Sequence, residues 1–183
     1  FMHVVLAISS PGDEIILPTP FYFNHEMAIE MAGCLAVRVP TDAHYQLRLD
    51  ALAAAITDRT RAIVTISPNN PSGAVLTPES LRAVNALCAS RGIYHVSDEP
   101  YEYFTYGAAH VSPASFPGAT PHTISMFSLS KAYGFAGWRI GYVVYPEAMH
   151  AAMMKCQDAI LINPAMASQV GAEAALRVGK RYC

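Results

Sequence analysis

Short apolar, β-branched runs alternate with helix-length segments from one end of the chain to the other. That alternation constrains the fold more than any other feature. "EIILP" (14–18), "CLAVRVP" (34–40), "AIVTIS" (62–67), "IYHVSD" (93–98), "TISMFSL" (123–129) and "RIGYVVY" (139–145) read as strands. "NHEMAIEMAG" (24–33), "LDALAAAIT" (49–57), "TPESLRAVNALCASRG" (77–92), "PEAMHAAMMKCQDAI" (146–160) and "PAMASQVGAEAALRV" (164–178) read as helices, and "FMHVVLAISS" as the end of one. Asp50 is the expected cap of the 49–57 helix. The 77–92 segment is the best punctuated, with Thr77 as cap, Pro78 at the first position and Gly92 as terminator. Strands that are apolar throughout need cover on both faces, so the pattern predicts an α/β layered fold with a largely parallel sheet. Such sheets bind ligands beyond the carboxyl ends of their strands. The polar residues of interest fall at those ends.

Composition narrows the function classes. With 52% hydrophobic and 14% charged residues, 183 residues make one domain with a real core. A net charge of −2 gives no electrostatic case for nucleic acid or an anionic membrane. No apolar run approaches the roughly 20 residues of a membrane span. Nor does the N-terminus carry the charged flank of a signal peptide. Cys34, Cys88, Cys156 and Cys183 show no C-x-x-C spacing, which predicts reduced thiols in a cytoplasmic protein. The seven histidines show no H-x-x-H or H-E-x-x-H spacing, so no metal is expected. The chain opens in helical rhythm without a cap and stops at "GKRYC" directly after another helical run. A piece of a longer protein is therefore expected.

Four stretches carry the chemistry. "SPNNPSG" (67–73) follows a strand; Pro71 biases Asn70 away from helix and Gly73 permits a tight turn, although a plain loop would look the same. In "VSDEPYEYF" (96–104), Asp98 ends an apolar strand with Tyr101 three residues on; the alternative is a simple helix cap at Asp98. In "SLSKAYGFAGWRIGY" (128–142), Lys131 lies between a strand and a small, apolar stretch. Partial burial there would favour the neutral, nucleophilic amine. Arg139 offers a fork of donors suited to phosphate, with Ser128 as a further hydroxyl. The alternative for Arg139 is a surface ion pair with Glu147 or Asp158. In "PTPFYFNHE" (18–26), Tyr22 follows a strand, where its ring could cover a flat ligand or merely pack.

Taken in order, these stretches resemble the large domain of fold-type-I pyridoxal-phosphate enzymes, specifically class I/II aminotransferases. "NNPSG" resembles the family's N-P-[ST]-G loop, "SDEPY" its D-x-x-Y, and "SLSKAYGFAGWRIGY" its S-x-S-K…G-x-R-x-G signature. The spacings are 28 residues from Asn70 to Asp98 and 33 from Asp98 to Lys131. The resemblance implies a three-layer α/β/α domain over residues 1–183 with a mostly parallel, mixed sheet. It implies pyridoxal 5'-phosphate as cofactor and amino acids and 2-oxo acids as substrates.

Residue by residue, Lys131 matches the lysine that holds the cofactor aldehyde as an internal aldimine. Asp98 matches the carboxylate paired with the pyridine nitrogen. Tyr101 and Asn70 match the groups that bond the phenolic oxygen. Ser128 and Arg139 match phosphate ligands, and Tyr22 takes the place of the stacked aromatic. His25 resembles a histidine that supports the aspartate in some members. Lys131, Asp98 and Tyr101 are the expected catalytic residues.

Family members run to about twice this length. The resemblance therefore also implies that the phosphate-cradling turn would lie before Phe1 and the carboxylate-gripping arginine after Cys183. The small domain would be absent, and a homodimer is expected of the longer protein. A carbon–sulfur lyase or an aminocyclopropane-carboxylate-synthase-like enzyme would share the site. So would a non-catalytic, cofactor-binding sensor domain of a transcription regulator.

Overall fold

A computed structural model describes residues 1–183. Six strands form one sheet: β1 (Glu14–Thr19), β2 (Leu35–Pro40), β3 (Thr60–Ile66), β4 (Tyr94–Asp98), β5 (Thr123–Ser128) and β6 (Gly141–Val144). Their order is β2-β1-β3-β4-β5-β6. The first five are mutually parallel and β6 runs antiparallel to β5, so the sheet is mixed and mostly parallel. The helices are α1 (Met2–Ile8), α2 (Phe23–Met31), α3 (Leu49–Ala54), α4 (Pro78–Arg91), α5 (His150–Ile160) and α6 (Met166–Val178).

Side-chain alternation along the strands divides the core between two faces. Ile15, Leu17, Ala62, Val64, Ile124 and Met126 pack with Val4, Val5, Ile29 and Met153 of α1, α2 and α5. Ile16, Ile63 and Val39 face the other way, onto Leu52 of α3 and Val84 and Cys88 of α4. The result is a three-layer α/β/α sandwich. Burial pushes the Cys88 thiol up to about 12, and all four cysteines are free. No helix is long and apolar enough to cross a membrane.

α4 forms as its punctuation predicts. Thr77 accepts a hydrogen bond from the Ser80 amide at 3.1 Å, and Gly92 closes the helix at φ 65°. The expected Asp50 cap is not found. Arg48 occupies the cap position of α3 and Asp50 lies within the first turn, where its carboxylate accepts from Arg48 at 3.3 Å. A carboxylate suits a first turn electrostatically as well as a cap, so composition alone could not tell the two positions apart.

The chain leaves β1 toward β2 on one side and returns to β3 on the other. The order thus reverses between β1 and β3, the kind of point at which α/β sheets bind ligands beyond the strands' carboxyl ends. The loops after β1, β3, β4 and β5 all reach this end of the sheet.

Candidate active site

The loop after β3 is built by Asn69. Its side-chain oxygen accepts from the Ser72 amide (3.1 Å) and hydroxyl (2.8 Å), and its side-chain nitrogen donates to the Pro20 carbonyl (3.1 Å) after β1. Gly73 supplies the left-handed turn at φ 74°. With Asn69 occupied, the Asn70 amide is left to donate to the Tyr101 hydroxyl at 3.4 Å. The "SPNNPSG" loop and the Asp98–Tyr101 stretch therefore meet across the sheet. An open hollow of about 340 Å³ between them is lined by Asn70, Pro71, Gly73, Tyr101, Phe104 and Tyr106.

Asp98 closes β4, and no helix follows it, so it is not a helix cap. One carboxylate oxygen sits 2.9 Å from Nε2 of His25, a buried residue of α2 that is 2% exposed. Against an ionised carboxylate, which only accepts, Nε2 is the donating nitrogen. His25 Nδ1 is buried and has no partner in the chain. Asp98's second oxygen makes no hydrogen bond within the chain, and its side chain remains 19% exposed at the strand end. The Tyr22 ring stands edge-on to His25 with 5.7 Å between centroids, and its hydroxyl accepts from Asn24 at 2.7 Å. Phe1 packs on the same imidazole at 4.3 Å.

Lys131 and Arg139 lie on the two arms of one hairpin. Ser128 pairs with Gly141 across β5 and β6, and the Leu129 amide donates to the Ile140 carbonyl at 3.3 Å. The Lys131 ammonium stands 5.7 Å from the centre of the Tyr101 ring. Expected to be partly buried, Lys131 is exposed. The apolar residues near it pack among themselves instead. Phe135 stacks on Trp138 at 5.0 Å, and Trp138 lies against α6 at Gly171, where a side chain would crowd it. Arg139 makes no ion pair with Glu147 or Asp158. Its Nη1 donates to the Ala136 carbonyl at 2.7 Å, from a left-handed backbone at φ 52°. Ser128 accepts from the Ser130 amide at 3.2 Å, so its own hydroxyl proton is free to be donated.

Asn70, Asp98, Tyr101 and Lys131 are thus joined by contacts or by adjacent strand ends, with His25 and Tyr22 behind the aspartate. Ser128 and Arg139 share the hairpin with Lys131. Sequence reasoning passed over Asn69 and Glu99. Asn69 was hidden by its more conspicuous neighbour. Glu99 is an acidic residue directly after an apolar strand, and that signal was attributed wholly to Asp98. No group of three His, Cys, Asp or Glu side chains gathers as a metal site.

Comparison with known proteins places the chain in a family. The family model for aminotransferase class I and II matches residues 3–181. A probable aspartate/prephenate aminotransferase of Aquifex aeolicus is 40% identical over 178 residues, covering 95% of this chain and 45% of that protein. An arginine–pyruvate transaminase of Pseudomonas aeruginosa is 41% identical over 150 residues, covering 81% of this chain and 38% of that protein. The structure of a Thermus thermophilus aspartate aminotransferase variant superposes with a TM-score of 0.90 at 32% identity, over 99% of this chain and 52% of that one. The chain belongs to the class I/II aminotransferases, a family of pyridoxal-phosphate-dependent enzymes with the aspartate-aminotransferase-like fold. It spans less than half the length of these curated relatives.

The residues present suit that cofactor. An acid with one oxygen braced and one free suits a protonated pyridine nitrogen. A phenol beside an amide suits a phenolate oxygen. An amine suits an aldehyde, and a guanidinium with a hydroxyl suits a phosphate.

Proposed function

We propose that this chain is the cofactor-binding domain of an aminotransferase that moves an amino group between an amino acid and a 2-oxo acid. The observation that carries the reading is the His25–Asp98 pair at 2.9 Å, at a strand end shared with the Asn70–Tyr101 contact and the Lys131 ammonium.

Pyridoxal 5'-phosphate, when bound, supplies the electron sink that stabilises negative charge at an amino acid's α-carbon. Lys131 supplies the amine that holds the cofactor aldehyde. Lys131 Nζ would also be the base placed to move a proton at the amino acid's α-carbon. Asp98 would hold the cofactor's ring nitrogen in its protonated form, and His25 keeps Asp98 in place by donating from Nε2. Tyr101 and Asn70 would hold the cofactor's phenolic oxygen and favour its ionised form. Ser128 and Arg139 would hold the phosphate, and Tyr22 would cover the ring. In the longer protein the working unit is a homodimer in the cytoplasm, a reading supported by the free thiols and the family.

The test is an absorbance scan with added pyridoxal phosphate, followed by added glutamate or aspartate. A visible band that shifts as a stoichiometric amount of 2-oxo acid appears supports amino transfer. Ammonia released from cystathionine, with the band restored, would replace this reading with elimination. This chain alone is expected to bind the cofactor and turn over little, so only in the full-length protein would a band insensitive to every amino acid favour a sensor domain.

A further inference from the structure

We infer that Glu99 is a positioning residue that sets where the Tyr101 hydroxyl stands by tying both ends of the 99–112 loop to the sheet. This inference rests on the cofactor reading above.

Glu99 follows Asp98, and its side chain is fully enclosed, at 0% exposure. An enclosed carboxylate is costly unless its oxygens are matched by donors. Both are matched from the far end of the same loop. His110 Nε2 donates to one oxygen at 2.8 Å and the Ser112 hydroxyl to the other at 2.9 Å. Ser112 also meets Ser125 of β5 at 3.3 Å, and the Glu99 amide donates to the Met126 carbonyl of β5 at 2.9 Å. The carboxylate thus joins the start of the loop, its end and the neighbouring strand.

Between those anchors the loop has no helix or strand. Its internal backbone bonds are short-range turns: Glu102 to Glu99, Phe104 to Tyr101 and Ala108 to Thr105. Tyr101 sits two residues from the tie, and its hydroxyl reaches Asn70 at only 3.4 Å, too weak a contact to fix the ring by itself. The remaining hold on the loop is aromatic packing further along, where Tyr103 and Phe104 lie against the Leu129–Tyr133 cluster. The other charge facing this group is Glu102, whose carboxyl is raised chiefly by burial; His110 lowers it and Glu99 raises it further.

A geometric role and a charge role make different forecasts. Glu99→Ala removes both ties. Glu99→Gln removes the charge but keeps two polar contacts, because its amide accepts from Ser112 and donates to His110 in the other tautomer. The experiment uses the chain loaded with pyridoxal phosphate and follows the pH midpoint of its visible band. In parallel, amide exchange of residues 100–111 is measured without the cofactor. Ser112→Ala serves as a milder cut.

Glu99→Ala is expected to raise the midpoint by about half a pH unit or more, in the direction of Tyr101→Phe, with Ser112→Ala between it and the parent. Loop exchange should quicken in the same order, while Glu99→Gln stays near the parent in both. A midpoint unchanged in Glu99→Ala and Ser112→Ala overturns the inference and leaves Glu99 a merely structural group. A Glu99→Gln shift as large as that of Glu99→Ala overturns it in favour of a charge effect. A parent chain with no visible band overturns the cofactor reading itself, and this inference with it.

Discussion

Acidifying the protein from pH 7 to pH 4 exposes a cost stored at His95, the second residue of β4. Its side chain is wholly enclosed, with Nδ1 3.1 Å from the Asn85 amide nitrogen and Nε2 2.9 Å from the Thr65 hydroxyl. An amide nitrogen can only donate, so Nδ1 accepts and Nε2–H points to Thr65. Protonating Nδ1 would set two donors face to face. Asn85 is itself committed, donating to Thr123 at 2.8 Å and accepting from His122 at 3.0 Å. Burial, helped by nearby His122, pushes His95 down from 6.5 to about 3.

The folded state therefore refuses a proton that the unfolded chain accepts below about pH 6.5. The stabilising contribution is complete above that pH and is lost as pH falls toward 3. Between pH 7 and pH 4 the loss is about 3 kcal/mol, since each pH unit of differential protonation is worth about 1.4 kcal/mol. Domains of this kind are stable by only about 5–15 kcal/mol. The assay is urea unfolding by circular dichroism at several pH values, comparing the parent with His95→Gln, whose amide can still donate to Thr65. Carboxylates common to both chains cancel in the difference. The variant should lose about 3 kcal/mol less than the parent over this range. An identical pH dependence in the two chains would refute the reasoning.

Other substitutions probe the site and its scaffold. In the full-length protein, Asp98→Asn should cut the proposed amino transfer by about a hundredfold or more while leaving the visible cofactor band in place, read by single-turnover kinetics. Thr77→Ala removes the one side-chain cap on α4 and should cost about 1 kcal/mol in a urea melt, without moving the cofactor band. Gly141→Ala would drive a methyl group into the Phe127 carbonyl. It should cost about 1–3 kcal/mol and weaken cofactor binding, because β6 and the Arg139 arm must shift together.

The layers of the fold were legible because each strand announces itself as an uninterrupted apolar run, and such runs need helices on both sides. The mixed sheet was not readable from periodicity, since nothing in "RIGYVVY" distinguishes a hairpin return from a crossover; the resemblance supplied it. At the site, Asn70, Asp98, Tyr101 and Lys131 were visible as polar residues at the ends of apolar strands. The exposure of Lys131 was misjudged because the apolar residues after it satisfy one another, Phe135 on Trp138, and leave the ammonium uncovered. The roles of Asn69 and Glu99 depend on partners 49 residues back, at Pro20, and 11 and 13 residues ahead, at His110 and Ser112. No local pattern encodes such pairings.

The central claim is that one amine, that of Lys131, captures a pyridoxal aldehyde. Borohydride reduction of the loaded chain, followed by peptide mass mapping, tests it most directly. The account predicts a single phosphopyridoxyl adduct on the peptide containing Lys131, absent from Lys131→Ala. An adduct spread over Lys155 and Lys180, or retained in Lys131→Ala, would contradict it.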